Sequence, residues 1–146
     1  KEGNPDRFSF PHPKVDELNF SFSGLKTSVL YFLQKELKTN PDFITENIKD
    51  ICAGVQKTIV DILIGKLLKA VEQTNIKQIA IAGGVSANSG LRAALQSLTE
   101  KDIKVFIPKF EYCTDNAAMI AITGYYSFLE NHDFSKNYTP NARMKL

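Results

Sequence analysis

The stretch Ile79-Ala-Ile-Ala-Gly-Gly-Val-Ser-Ala-Asn-Ser-Gly-Leu-Arg-Ala-Ala-Leu95 changes its hydrophobic period partway through. It begins with an apolar run typical of a strand, which Gly83 and Gly84 interrupt, and leucines then recur at the spacing of a helix. The sequence therefore predicts a strand, a turn and a helix, with the chain reversing at the two glycines.

The residues after the glycines suit the start of a helix. Ser86, Asn88 and Ser89 all accept hydrogen bonds from the unpaired amides of a first turn. Free amides and the positive end of the helix dipole attract a phosphate or carboxylate, and glycines let a ligand approach the backbone. A nucleotide site is one interpretation, and a plain strand-to-helix turn, which the turn alone favours, is the other. The spacing matches neither a Walker loop nor a dinucleotide fingerprint.

Composition indicates a globular chain of ordinary type. Its 146 residues, 43% of them hydrophobic, favour one domain, and 18 basic against 16 acidic residues are too balanced to predict nucleic-acid binding. Cys52 and Cys113 lie far apart with no CxxC pair and no histidine cluster, so we expect neither a disulfide framework nor a zinc site. No apolar run is long enough for a membrane span. Because the first residue is Lys1, we expect a piece of a longer protein.

Two helices are predicted ahead of the glycine turn. Residues 1–19 carry three prolines and read as an extended lead-in. An amphipathic helix follows, capped by Ser23 and ending near Leu37. Helical spacing then continues from Ile44 to Val71, as one long helix or two nearly collinear ones. We expect Gly54 and Gly65, inside that helix, to mark close packing.

A second strand is predicted over Ile103 to Ile107, where Pro108 closes it. With the first strand it encloses a βαβ unit, which makes the pair parallel. Two strands are too few for a complete sheet and leave both edges unpaired. We expect a single domain, with an α/β lobe over residues 20–130 and a polar basic tail over 131–146.

A second site element is the segment from Tyr112 to Met119, which opens a helix with a face of mostly small residues suited to close packing. Asp115 is either the cap of that helix, which local chemistry favours, or a carboxylate aimed at a metal. Both turns after the strands leave the same edge of a parallel sheet. We therefore expect Asp115 to lie near Gly83 and Gly84.

Three blocks of the chain together resemble the TsaD family of tRNA threonylcarbamoyladenosine transferases. They are Phe20-Ser-Phe-Ser-Gly-Leu-Lys-Thr27, Ala82-Gly-Gly-Val-Ser-Ala-Asn88 with Leu91-Arg92, and Cys113-Thr-Asp-Asn-Ala-Ala-Met-Ile120. The resemblance implies a helix-rich α/β fold, the C-terminal lobe of an actin-like, sugar-kinase-like (ribonuclease-H-like) ATPase. That lobe would have a short parallel strand pair and about four to five helices, without the N-terminal lobe.

The resemblance also implies a function. The family moves a threonylcarbamoyl group from threonylcarbamoyl-adenylate to an adenosine beside the tRNA anticodon, and AMP leaves. Carried over by motif, Gly83, Gly84 and Asn88 would contact the adenylate or an ATP-type nucleotide, and Asp115 would ligate one divalent metal ion of iron or zinc type. The implied partners are tRNA, an inactive paralogue and a small ATPase. The implied location is the cytoplasm, with no membrane.

One family feature is missing, and it leaves alternatives open. The family's His-x-x-x-His metal pair does not occur, because His12 and His132 are the only histidines. We therefore expect the chain alone to be inactive. A related carbamoyltransferase with another acceptor and a non-catalytic paralogue remain alternatives, although the intact glycine turn and Asp115 speak against the second. An older protease label has no nucleophile-base pair or zinc-protease motif to support it.

Overall fold

The computed structural model describes residues 2–13 and 15–130. Within them lie four α-helices and two strands, with short 3₁₀ turns between. In chain order they are α1 (Phe22–Leu37), α2 (Phe43–Thr74), β1 (Gln78–Ala80), α3 (Ser89–Gln96), β2 (Lys104–Phe106) and α4 (Ala117–Leu129). The predicted helix-rich α/β class is confirmed. The predicted basic tail lies outside the described residues.

The two strands form the predicted parallel pair. Ile79 stands opposite Val105, and the amide of Ile81 donates to the Phe106 carbonyl at 3.1 Å. Because α3 lies between the strands in the chain and packs on α2, the βαβ unit encloses a core. The buried members of that aliphatic core are Ile79, Leu91, Leu95, Leu98 and Ile103, and the C-terminal half of α2 packs against them.

The long periodic segment is one helix of 32 residues. It ends at Asn75, whose φ of 55° is the left-handed conformation that often terminates helices. The expectation for Gly54 is confirmed, because it is buried and a Cβ there would overlap the Phe8 carbonyl oxygen. The expectation for Gly65 is wrong for the part of the chain that the structure describes, because a Cβ there would meet none of its atoms within 4 Å.

The lead-in runs alongside α2 in the same direction. Near its start the Asn4 amide donates to an Asp50 carboxylate oxygen at 2.7 Å. Near its end Lys66 donates to the carbonyl oxygens of Val15 and Glu17 at 2.8 and 2.5 Å. The lead-in has no helix or strand within the described residues, and α2 supplies its hydrogen-bond partners at both ends.

An aromatic cluster joins the lead-in to α1 and α2. The rings of Phe8 and Phe10 lie 5.3 and 5.5 Å from that of Phe32 on α1, and Phe8 also lies 5.6 Å from Phe43 at the start of α2. Such separations are typical of favourable aromatic pairs. The N-terminal half of α2 is therefore packed by aromatic rings, and its C-terminal half by the aliphatic core.

The two outer helices differ in detail from expectation. Helix α1 begins at Phe22 with Ser21 at the N-cap position, so the prediction that Ser23 caps it is wrong. Ser23 lies in the first turn, and its carbonyl accepts from the Thr27 hydroxyl at 3.0 Å. Helix α4 has no buried residue, and Ile120 is 77% exposed. The small-residue face predicted for close packing is thus open in the part of the chain that the structure describes.

None of the described helices is both long enough and apolar enough to cross a bilayer.

Candidate functional site

The glycine turn follows directly from β1. Gly83 has φ 80° and ψ 174°, a conformation essentially restricted to glycine, and a 3₁₀ turn covers Gly84–Ala87. The Ser86 hydroxyl, on a side chain only 1% exposed, donates to the Gly83 carbonyl at 2.6 Å and closes the turn. A Cβ at either glycine would meet no atom of residues 2–13 or 15–130 within 4 Å. The backbone of both glycines is therefore open to a ligand.

Asn88 lies where the turn enters α3. Its side-chain oxygen accepts from the Leu91 amide at 3.0 Å, so it caps the helix as the sequence chemistry suggests. The cap uses the oxygen only, and the side-chain NH₂ has no partner among the described residues. Asn88 thus retains two donors beside the glycine turn.

Asp115 lies in the loop between a 3₁₀ turn at Phe110–Tyr112 and α4. The cap of α4 is Asn116, whose side-chain oxygen accepts from the Met119 amide at 3.2 Å. The interpretation of Asp115 as that cap is therefore wrong. Its side chain is exposed and makes no hydrogen bond or ion pair within the described residues, so the carboxylate is available to a ligand.

Arg92 on α3 connects the two loops. Its Nη1 donates to the Ser86 carbonyl at 2.9 Å and contacts Cys113 Sγ at 3.6 Å, while Nη2 donates to the Pro108 carbonyl at 2.8 Å. The glycine turn after β1 and the loop after β2 therefore meet at one guanidinium, at the carboxyl edge of the sheet. Ser86 and Cys113 stand two residues from Gly84 and Asp115, so Arg92 joins the two loops close in sequence to these residues, and the nearness of Asp115 to the glycines stays a prediction.

The donor set fits part of a metal site. A hard, unpaired carboxylate is a suitable ligand for a divalent cation. The described residues hold no group of three or more His, Cys, Asp or Glu placed for a metal. His12 is exposed in the lead-in. Asp115 therefore fits as one metal ligand, and the described residues do not complete a site around it.

Sequence reasoning assigned no role to Arg92 or Cys113, although both lie inside the quoted blocks. The one available signal is position, because Arg92 directly follows the buried Leu91 on a short amphipathic helix. A cationic side chain at such a place must reach acceptors at the rim of the core. Which acceptors it reaches depends on the packing of β2 and its loop, which helical periodicity does not encode.

Comparison with known proteins agrees with this geometry. The sequence profile of the family described as "TsaD: tRNA N6-adenosine threonylcarbamoyltransferase" matches residues 1–122. Proteins carrying the name tRNA N6-adenosine threonylcarbamoyltransferase are similar over nearly the whole chain. The protein from Christiangramia forsetii is 58% identical over 100% of this chain, and that from Porphyromonas gingivalis is 55% identical over 99%. The protein from Thermosipho africanus is 46% identical over 99% of this chain.

The matched region is only part of each relative. This chain spans 43% of the length of the Christiangramia forsetii and Porphyromonas gingivalis proteins and 44% of the Thermosipho africanus protein. All three blocks quoted from the sequence fall within residues 1–122 of the family match. On this match and these identities, the chain belongs to the TsaD family.

Proposed function

We propose that this chain forms one wall of the active site of a tRNA threonylcarbamoyltransferase. The whole protein would transfer a threonylcarbamoyl group from threonylcarbamoyl-adenylate to the amino group of an adenosine next to the tRNA anticodon, with AMP as leaving group. The observation that supports the proposal is the meeting, at the Arg92 guanidinium, of the open glycine turn and the loop that carries Asp115, in a chain of this family.

The chemistry of the turn supports an adenylate ligand. Gly83 and Gly84 present backbone without side chains, which lets a phosphate or ribose approach closely. The free NH₂ of Asn88 supplies donors directly beside them. A neutral donor array of this kind binds an anionic phosphate without requiring a basic side chain.

The carboxylate of Asp115 supports one divalent metal, and the family resemblance adds that it is of iron or zinc type. When bound, such a metal offsets charge on the phosphate and polarises the carbonyl under attack. Asp115 would hold it from this chain, together with ligands from the rest of the protein. An N-terminal lobe outside this chain would supply those ligands and the opposite wall, and residues 1–146 would form a single domain.

The same proposal covers partners and location. The family's name places tRNA among the substrates, and the resemblance adds an inactive paralogue and a small ATPase as assembly partners. We place the reaction in the cytoplasm. The basic tail carries Lys136, Arg143 and Lys145, which we propose as tRNA contacts on the basis of the sequence and which lie outside the described residues.

The decisive experiment compares two carboxylates of one loop in a full-length protein that contains this segment. Asp115→Asn should abolish binding of the metal and transfer of the threonylcarbamoyl group to tRNA. Glu111→Gln removes an exposed carboxylate of the same loop, which makes a long, weak ion pair of 4.0 Å with Lys109 Nζ. This variant should leave metal binding and transfer unchanged. Equal activity of the two variants would refute the role of Asp115, and an inactive, correctly folded wild type would favour the non-catalytic paralogue.

A second test uses this chain alone. Isothermal titration with ATP or a divalent metal should show little or no heat of binding, because Asp115 is one ligand among several and the other wall is missing. Micromolar affinity for either ligand would show that the site is complete without a second lobe.

A further inference from the structure

We infer that Arg92 is a positioning residue that fixes the glycine turn and the Asp115 loop at one separation, so that nucleotide and metal are presented to each other. The inference rests on the proposed function for what the two loops bind. Its geometric part, the joining of the two loops by one guanidinium, stands on the contacts alone.

The three acceptors of Arg92 come from the two loops. Ser86 lies in the turn after β1, Pro108 ends the extended segment after β2, and Cys113 lies in the loop that leads to Asp115. Both carbonyls accept at distances typical of charge-assisted hydrogen bonds, 2.9 and 2.8 Å. If either loop moves, its bond to Arg92 breaks, and its link to the other loop is lost with that bond.

Only arginine suits this junction. Its planar guanidinium presents donors in a fixed fork, so that Nη1 and Nη2 reach acceptors in different directions at once. A lysine carries one nitrogen on a flexible stem and would satisfy one segment at a time. We therefore expect Arg92→Lys to preserve the charge and lose the bridge.

The base of the bridge is rigid. The neighbouring Leu91 is 7% exposed and Leu95 is fully buried in the aliphatic core, which holds α3 in place. The Asn88 side chain fixes the first turn of the same helix. The guanidinium thus extends from an element that the core already orients, and it transmits that orientation to both loops.

Among the residues that Arg92 contacts, Cys113 is the nearest in sequence to Asp115. It is 2% exposed, and its Sγ lies 3.6 Å from Arg92 Nη1 and 3.5 Å from the Lys109 carbonyl oxygen. A thiol donates weakly and accepts weakly, so it passes the contact from the guanidinium to the loop backbone. The Cys113 amide also donates to the Phe110 carbonyl at 3.1 Å, which closes the turn that precedes Asp115.

The first test is hydrogen exchange on this chain. The amides of Ser86 and Asn88 report on the glycine turn, and those of Tyr112 and Cys113 report on the second loop, since each is bonded within its own turn. In Arg92→Met both pairs should exchange about 10-fold faster, the effect expected when hydrogen bonds to a charged group are lost. Arg92→Lys should loosen the two loops nearly as much. Ile103→Val, a mild change in the same core, should leave the two loops unaffected relative to the rest of the chain.

The second test measures affinity in a full-length protein that contains this segment. At a temperature where the variants remain folded, Arg92→Lys should weaken both metal and nucleotide binding by about 10- to 100-fold, as outer-shell partners of metal sites do. Cys113→Ala should weaken metal binding more than nucleotide binding, because it releases the Asp115 loop alone, and Cys113→Ser should retain most of the affinity.

The outcomes separate this inference from the proposed function. Faster exchange in both loops with weaker binding of both ligands supports the bridge. Unchanged exchange in either loop of Arg92→Lys and Arg92→Met would overturn it, whatever the activity. If the Arg92 variants exchange faster in both loops but the wild-type full-length protein binds neither ligand, the bridge is retained and the proposed function is refuted instead. If Arg92→Met does not fold, the Arg92→Lys and Cys113→Ala exchange patterns decide the matter.

Discussion

The two interior glycines of α2 offer a matched pair of substitutions with opposite expected effects. Gly54→Ala and Gly65→Ala add the same methyl group to the same helix, and both gain helix propensity of about 1 kcal/mol. At Gly65 the methyl meets no atom of the described residues within 4 Å. At Gly54 it overlaps the Phe8 carbonyl oxygen and touches the Phe10 ring at 3.4 Å.

The cost at Gly54 follows from what has to move. Backbone is not the end of a flexible side chain, so the lead-in must shift away from α2, and overpacking of this kind costs about 1–3 kcal/mol. If the lead-in detaches entirely, Phe10, now 6% exposed, loses burial worth about 1.5–3 kcal/mol. After the propensity gain of about 1 kcal/mol is subtracted, we expect Gly54→Ala to lower the free energy of unfolding by up to about 2 kcal/mol. We expect Gly65→Ala to raise it by up to about 1 kcal/mol.

Urea unfolding monitored by circular dichroism measures both values. The contrast between the variants isolates the packing of the lead-in, because propensity contributes equally to each. If Gly54→Ala proved as stable as Gly65→Ala, the lead-in would not be docked on α2 in solution, and the packing of the aromatic cluster would be refuted with it.

Three further perturbations address the lead-in and the site. The Asn4 amide, and after it the Arg7 guanidinium, hold the pKa of Asp50 below its ordinary value of 3.8. The stability that the carboxylate contributes is therefore present above that value and is lost as the pH falls through the lower folded-state pKa. Asp50→Asn should flatten the acid-unfolding profile in that range, and an unchanged profile would contradict the contact. Gly83→Ala should lower stability by about 1–3 kcal/mol because its φ of 80° is essentially restricted to glycine. Gly84→Ala should be nearly neutral in thermal unfolding. Equal melting temperatures of the two variants would refute the strained turn. Asn116→Ala should cost about 1 kcal/mol of stability because it removes a helix cap, while Asp115→Asn should leave thermal stability unchanged. The opposite result would show that Asp115 is the cap.

Hydrophobic period predicted the strands and the long helix because each of these packs a hydrophobic face into the core. The strand before Gly83, the parallel partner closed by Pro108 and the long helix ending at Asn75 all appear close to their predicted bounds. Caps were predicted less well, since several neighbouring residues have cap chemistry and backbone geometry selects among them. Ser21 takes the position expected of Ser23, and Asn116 takes the role considered for Asp115.

Glycine packing shows a similar limit. Gly54 and Gly65 look alike in sequence, and only the path of the lead-in, which has no periodic signal, separates them. The candidate site was predictable in its parts, through the exposed glycines and the parallel strands that bring two loops to one edge. Its junction at Arg92 was not, because two of the three acceptors lie in the loop after β2, 16 and 21 residues from Arg92, where helical spacing gives no signal.

Helix α2 carries two kinds of packing along one rod of 32 residues, about 48 Å long. Aromatic rings from the lead-in and α1 cover one half, and the aliphatic core covers the other. Each half is held by its own partners, so heating should release the lead-in and α1 before the strand pair and α3 come apart. The chain should therefore melt in two cooperative units that share one helix, with a calorimetric enthalpy larger than the van't Hoff value.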